Sequence, residues 1–221
     1  MMNRTMKLLM LSDIFVLTGF GLIQPILAIF INQGVAGGTV LTAGLASTIF
    51  LLTKSLVQLP FGKYIDDHGK KTRWLILGTL LMAAVPILYL TADSIYKVYL
   101  AELIYGLGSG LAYPTWLGLW SRNLDQGSES FQWSIYSTST GIGTAATGTI
   151  GAATASIAGF TITFVLAGLL CLLGCITLLV LENRSADKAR ELEKEKGHFH
   201  RSRAAISALA TSITVGKLSE R

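Results

Sequence analysis

The sequence predicts an all-α membrane protein whose six transmembrane helices form an inverted three-plus-three repeat. Three observations carry this reading. Only 14% of the 221 residues are charged against 51% apolar, and the mean hydropathy is +0.55, whereas a soluble domain carries about a quarter charged residues. The charge is also uneven: residues 1–181 hold 9 Lys/Arg and 7 Asp/Glu, while residues 182–221 hold 9 and 6. A long apolar domain, 1–181, is therefore followed by a short charged tail, 182–221. Finally, a Gly-x-Gly step followed by proline occurs twice, as Gly19, Gly21 and Pro25 and as Gly106, Gly108, Gly110 and Pro114. The copies lie three spans apart, and an odd number of spans inverts the second relative to the first.

Apolar runs punctuated by turns and charges place the helices at roughly 8–32, 40–61, 74–92, 96–120, 131–156 and 160–181. The first run is too long for a signal peptide and continues straight into a second span, so none is expected. The connections are the Gly-rich stretch 32–39, the charged segment 62–73, a hinge at Asp93, the segment 121–130, and Ala158-Gly159. A closed barrel would need alternating strands of about ten residues, which this pattern lacks. Arg4 and Lys7 precede the first helix, Lys63, Lys70, Lys71 and Arg73 follow the second, and Arg122 and the basic tail share that side; Lys97 alone lies opposite. By the positive-inside rule both termini are cytoplasmic in a multi-pass protein of the cell (plasma or inner) membrane. The net charge of +5 follows from that topology and implies no nucleic-acid partner.

The second connection carries the most specific pattern. In Gly62-Lys63-Tyr64-Ile65-Asp66-Asp67-His68-Gly69-Lys70-Lys71, Gly62 lets the chain leave its helix in close packing and Gly69 permits positive φ in a tight turn. Lys70 and Lys71 anchor at the headgroups, and Asp66 and Asp67 need partners among them or at a helix N-terminus. The segment resembles the loop between helices 2 and 3 of the major facilitator superfamily, G-x-x-x-D-(R/K)-x-G-(R/K)-(R/K). Gly62, Asp66, Gly69, Lys70 and Lys71 match, and Asp67 stands where a basic residue is usual. Gly19 followed by Pro25-Ile26 is similar to a helix 1 motif of that family's antiporter-like members. The resemblance covers residues 8–181, one six-helix half, and implies that Asp66 helps latch two halves on the cytoplasmic side. A basic loop that merely sets topology is the alternative.

Asp13, Lys54 and Glu102 lie within apolar spans, where a charge costs at least about 2.5 kcal/mol. The depths of Asp13 and Lys54 differ by only about 4 to 5 Å at 1.5 Å per residue, so they either pair or separately reach the interface, Lys54 by snorkelling. Glu102 precedes Gly106 and Gly110 at four-residue steps on one face. It is either a proton site facing a wet cavity or an interfacial carboxylate paired with Lys97. The family often carries an arginine near this position, so the charge is reversed here. Gln24 beside Pro25, Gln58, Tyr105, Tyr113 and Trp116 are candidates to line a solute pathway, whereas Trp74, Trp120 and Trp133, near span ends, read as an interfacial belt.

The fifth span, from Ser137 to Gly159, is almost all Gly, Ala, Ser and Thr. It gains little from lipid and permits close helix contact, so it should be buried. Gly141, Gly148 and Ala152 mark one face as a packing seam. In the family this helix packs on the other half, and its antiporter motif carries a Gly-Pro step absent here. Cys171 and Cys175 share a helical face as apolar thiols without further metal ligands; His198 and His200 read as part of a flexible basic tail, in which Asp187 to Lys196 favours a solvated helix. No enzyme chemistry, metal or cofactor is expected. The resemblance implies a secondary transporter of small solutes, coupled to ions or protons and working by alternating access. Being half-size, it would need a homodimer or a separately encoded second half. The alternatives are a non-transporting membrane interaction subunit and a truncated fragment of a twelve-helix transporter.

Overall fold

The structure, a computed structural model, describes the backbone of residues 2–68 and 71–218 and the side chains of 2–68, 71–184 and 186. The described residues contain five helical elements and no strand: α1 (Arg4–Gly34), α2 (Val40–Asp67), α3 (Lys71–Leu90), α4 (Ile95–Arg122) and α5 (Glu129–Leu218). Gly159, at φ 87° and ψ 167°, interrupts α5 and joins two helices. They are called here the first arm (129–158) and the second arm (160–181). Residues 1–181 form one compact unit and 182–221 another. The side-chain readings for Asp187 to Lys196, His198 and His200 lie outside the described residues.

Local chemistry sets the helix ends. The Asn3 side chain accepts from the Met6 amide at 2.8 Å and starts α1. A reciprocal pair starts α2, with the Thr39 amide donating to Thr42 Oγ1 at 2.7 Å and the Thr42 amide to Thr39 Oγ1 at 3.1 Å. Between α1 and α2, Gly37 adopts φ 77°. The Ala36 amide there donates to the Asp93 carbonyl and the Ile95 amide to the Ala36 carbonyl, each at 3.0 Å. Those bonds tie the 35–39 and 91–94 turns together at one end of the bundle, called here the far end. At the other, basic end, Asn3 Nδ2 donates to Asn123 Oδ1 at 3.0 Å.

One expected boundary moves. The segment 62–67 is the last part of α2 rather than a loop, and helical geometry runs through Pro60 and Gly62 to Asp67. Each of α1 to α4 carries one proline inside it, which neighbouring helices make tolerable in a membrane. By length and apolarity, α1, α2, α3 and α5 up to Arg184 are candidate membrane spans. The 28 residues of α4 have the length, but its Gly, Tyr, Ser and Glu102 make it more polar.

That polar helix is gripped on two sides. On one, a Cβ added at Gly106 would sit 2.6 Å from Thr53 Cβ, and one at Gly110 2.8 Å from Val57 Cβ, both on α2. On the other, Gly108 and Gly78 of α3 face each other so closely that a Cβ on Gly78 would lie 2.6 Å from the Gly108 carbonyl oxygen. In the same way α1 sits between the arms of α5. Gly21 meets Thr144 and Thr147 of the first arm, and Gly19 meets Ala167 and Cys171 of the second. Ser12 Oγ donates to the Gly174 carbonyl at 3.0 Å. Cys171 and Cys175 are buried free thiols in this second contact.

The first arm departs from the expected full burial. Only Gln132, Thr140 and Gly151 along it are buried. Gly141 and Gly148 have nothing within 4 Å of an added Cβ, and Ala152 is exposed. Small residues bring this helix close to α1 but leave the flank that carries Gly141, Gly148 and Ala152, about a quarter-turn away, with open space beside its two glycines. The outward face of α2 is also open, with Leu56 at 73% and Leu59 at 84% exposure and only Ala43, Ala46 and Ile65 buried.

Candidate functional site

Two cavities occupy the interior of the 1–181 unit. The far-end cavity, about 410 Å³, is walled by α1, α2, α3 and α4 and includes Gln24, Ser47, Tyr89 and Glu102. The basic-end cavity, about 270 Å³, includes Asp13, Lys54, Ser109, Tyr113, Trp116 and Tyr136. Gln24, Phe50 and Tyr105 line both. Tyr105 is stacked between Phe20 and Phe50, at centroid distances of 4.1 and 4.2 Å and interplanar angles of 6° and 17°. Rings from α1, α4 and α2 thus partition the interior at the level of Gln24.

Each cavity holds a carboxylate bound by a tyrosine. Tyr89 donates to Glu102 Oε1 at 2.8 Å, and both residues are buried, at 1% and 2% exposure. Lys97 instead pairs with Asp93 at 2.6 Å on the exposed turn. That ammonium's hydrogen bond holds the Asp93 carboxyl below the usual carboxylate range. Glu102 thus lines the far-end cavity, and its partner there is Tyr89 rather than Lys97. In the basic-end cavity, Tyr136 donates to Asp13 Oδ2 at 2.5 Å. The Lys54 ammonium lies 4.8 Å from the Tyr113 ring centroid and 6.0 Å from that of Phe50. Asp13 and Lys54 share a cavity but take these partners rather than each other.

Other candidate residues are distributed as follows. Tyr105, Tyr113 and Trp116 line cavity walls; Gln58 and Pro25 are not among the residues lining either cavity. Trp120 is a correction, because it is fully buried rather than part of an interfacial belt. It packs against Trp116, Trp133 and Tyr136, with centroids 5.1 to 5.8 Å apart. Lys71 is a second correction: it does not reach the headgroups but is 3% exposed, bonded to Asp66 Oδ1 at 2.6 Å and lying close over Gly118 of α4. Burial of the ammonium requires that carboxylate. The Asp66 side chain itself stays 71% exposed, and Asp67 is exposed too. Gly69 and Lys70 lie outside the described residues.

Sequence reasoning missed Phe20, Phe50, Tyr89, Ser109 and Tyr136. Ser109 sits inside the Gly108-Gly110 step, where a polar residue on the packed face was a usable signal. The four rings carried none, because an aromatic residue in an apolar run reads equally as lipid-facing or core.

A bundle of long apolar helices packed through glycines around cavities that hold buried acids has the architecture of a helical membrane protein. Residues 9–217 match the family profile described as Major Facilitator Superfamily, and the chain belongs to that family of multi-pass membrane transporters. A 96-residue stretch is 28% identical to an uncharacterised MFS-type transporter of Methanocaldococcus jannaschii, covering 43% of this chain and 24% of that protein. Among solved structures, the POT family transporter PepTSo aligns at a TM-score of 0.67 and 14% identity, over 83% of this chain and 38% of that one. An auto-inhibited POT family peptide transporter aligns at 0.65 and 15%, over 82% and 38%. At these identities the structures share the fold. The matched stretch spans about a quarter of the length of that curated relative, and the aligned part of the chain spans 38% of each transporter structure.

Proposed function

We propose that this chain is one six-helix half of an ion- or proton-coupled secondary transporter that moves small solutes by alternating access. The observation that carries the proposal is the pair of cavities, each with its own tyrosine-bound carboxylate, meeting at a single three-ring partition. A solute that crosses must pass that partition, and a carboxylate on each side offers a place for a coupling proton or cation. The packing of α1 between the arms of α5, matched by that of α4 between α2 and α3, supports an inverted three-plus-three repeat. The open faces of α2 and the first arm support a requirement for a second half, supplied by a second copy, a separate chain or the remainder of a longer one. The Lys/Arg bias supports cytoplasmic termini in the cell membrane, with Asp66, exposed at that end, available as a latch.

The test is reconstitution in liposomes with a screen of small solutes, comparing flux with and without a pH gradient. Glu102→Gln should reduce pH-driven flux at least about tenfold while membrane insertion is unchanged, which is the order expected for loss of an essential proton carrier. Full pH dependence in that variant would remove Glu102 from coupling. Absence of any solute flux, with the protein correctly folded and its second half present, would favour a non-transporting interaction subunit.

A further inference from the structure

Charged side chains in the helical unit are mostly met by polar partners. Tyr136 serves Asp13, Tyr89 serves Glu102, Asp66 serves Lys71 and Asp93 serves Lys97. Lys54 differs. Among the described residues no carboxylate lies within ion-pair distance of its ammonium, and its neighbours are the faces of Tyr113 and Phe50. An ammonium has three donors and no acceptor. A ring face attracts the charge but accepts none of those hydrogen bonds in the ordinary sense. Lys54 is half-buried in a cavity walled in part by Phe50, Tyr105, Tyr113 and Trp116, and an anion placed beside it there gains more than it would in open water.

The cavity also restricts what such an anion can be. Its volume of about 270 Å³ equals that of roughly nine waters at ~30 Å³ each, which suits a solute of about ten non-hydrogen atoms. Asp13, held by Tyr136, repels a second carboxylate from its own side. The charged end of the solute is thereby directed to α2, leaving the body against the rings. We propose that this cavity binds a small organic anion, with its charged group on Lys54 and a flat apolar body against the Trp116 and Tyr113 rings. The proposal deepens the transport reading, whose site it shares.

The experiment uses the full chain in lipid nanodiscs, with Cys171 and Cys175 replaced by alanine and a reporter Ser109→Cys on the cavity wall. Maleimide labelling of that thiol is followed against three probes of one shape: 3-phenylpropionate, 3-phenylpropanol and phenethylamine. The anion should protect the thiol at the lowest concentration. Lys54→Gln should raise its half-protecting concentration at least about tenfold, the scale of one hydrogen bond to a charged group. Lys54→Arg should restore protection, and the alcohol should be indifferent to both changes. Equal protection by all three probes, preference for phenethylamine, or an unchanged anion concentration in Lys54→Gln would overturn the proposal. Should Lys54→Gln fail to fold, the probe ranking in the reporter protein and in Lys54→Arg decides. Lys54-dependent protection without solute flux in liposomes that also hold the second half would support the site while removing the transport reading. Flux without anion protection would do the reverse.

Discussion

Removing the Tyr105 ring should open the partition between the two cavities. The Phe20 and Phe50 centroids lie 4.1 and 4.2 Å from that of Tyr105 in a nearly parallel stack. Without the middle ring, Phe20 and Phe50 would face each other across roughly 8 Å, leaving a slot of about 5 Å once ~3.5 Å of contact thickness is subtracted. A water molecule passes such a slot. The lost stacking is worth about 0.5–1.5 kcal/mol for each of the two pairs, so Tyr105→Ala should fold with a lowered unfolding temperature. The assay places a single cysteine at Ser109 in the basic-end cavity, or at Ser47 in the far-end cavity as control, in a background lacking Cys171 and Cys175. Silver ion, a thiol-reactive and membrane-impermeant probe of about water size, is applied from the far side in native membranes. Ser47→Cys should react in both backgrounds. Ser109→Cys should react only with Tyr105→Ala, at least about tenfold faster than in the parent, and Tyr105→Phe should keep it protected by preserving the stack. Equal labelling of Ser109→Cys with and without the ring would show that the stack is not the barrier.

Other expectations concern packing and the basic end. Gly78→Ala places a methyl group 2.6 Å from the Gly108 carbonyl oxygen, so α3 and α4 must separate at a cost of about 1–3 kcal/mol. Gly148→Ala meets open space and should be neutral or stabilising by up to about 1 kcal/mol. Thermal unfolding in detergent distinguishes them, and equal midpoints would contradict the close approach. Asp66→Asn leaves Lys71 buried without its carboxylate, so its side chain should lose its proton more readily, the neutral amine should react with acylating reagents, and the midpoint should fall more than in Asp67→Asn. Matching reactivity in the two variants would remove the ion pair as a structural tie.

Periodicity and composition show where helices run and how deep a residue lies along each axis, but not which way it faces. Asp13 and Lys54 illustrate the limit. Their similar depths do bring them to one cavity, yet the rotation of α1 and α2 gives Asp13 to Tyr136 and Lys54 to Tyr113. The turn at Gly159 was legible because Ala158-Gly159 interrupts an apolar pattern, and positive φ there requires a residue without a Cβ. The end of α2 was not. Pro60 and Gly62 look like helix breakers, but surrounding helices can satisfy the backbone groups a proline frees, so the helix continues to Asp67. Trp120 and Lys71 were misread for a shared reason. Interfacial position usually means headgroup contact for Trp and Lys, whereas here a ring cluster and Asp66 hold them inside the protein.

The glycines explain why the polar helices are inside and two others are left uncovered. Gly106, Gly108 and Gly110 let α4 approach α2 and α3, and Gly19 and Gly21 let α1 approach both arms of α5. Close approach brings the charged and hydroxylated residues of α1 and α4 toward the cavities and away from lipid. The neighbours pressed onto them then turn their other faces outward. On α2 that face is rich in leucine, which lipid accepts. On the first arm it is Gly141, Gly148 and Ala152, which offer lipid tails little contact area but let another helix come close. A helix so poor in side-chain surface is stabilised far more by a protein neighbour than by hydrocarbon. If the chain is one half, as proposed, the first arm is therefore the face against which the second half would pack.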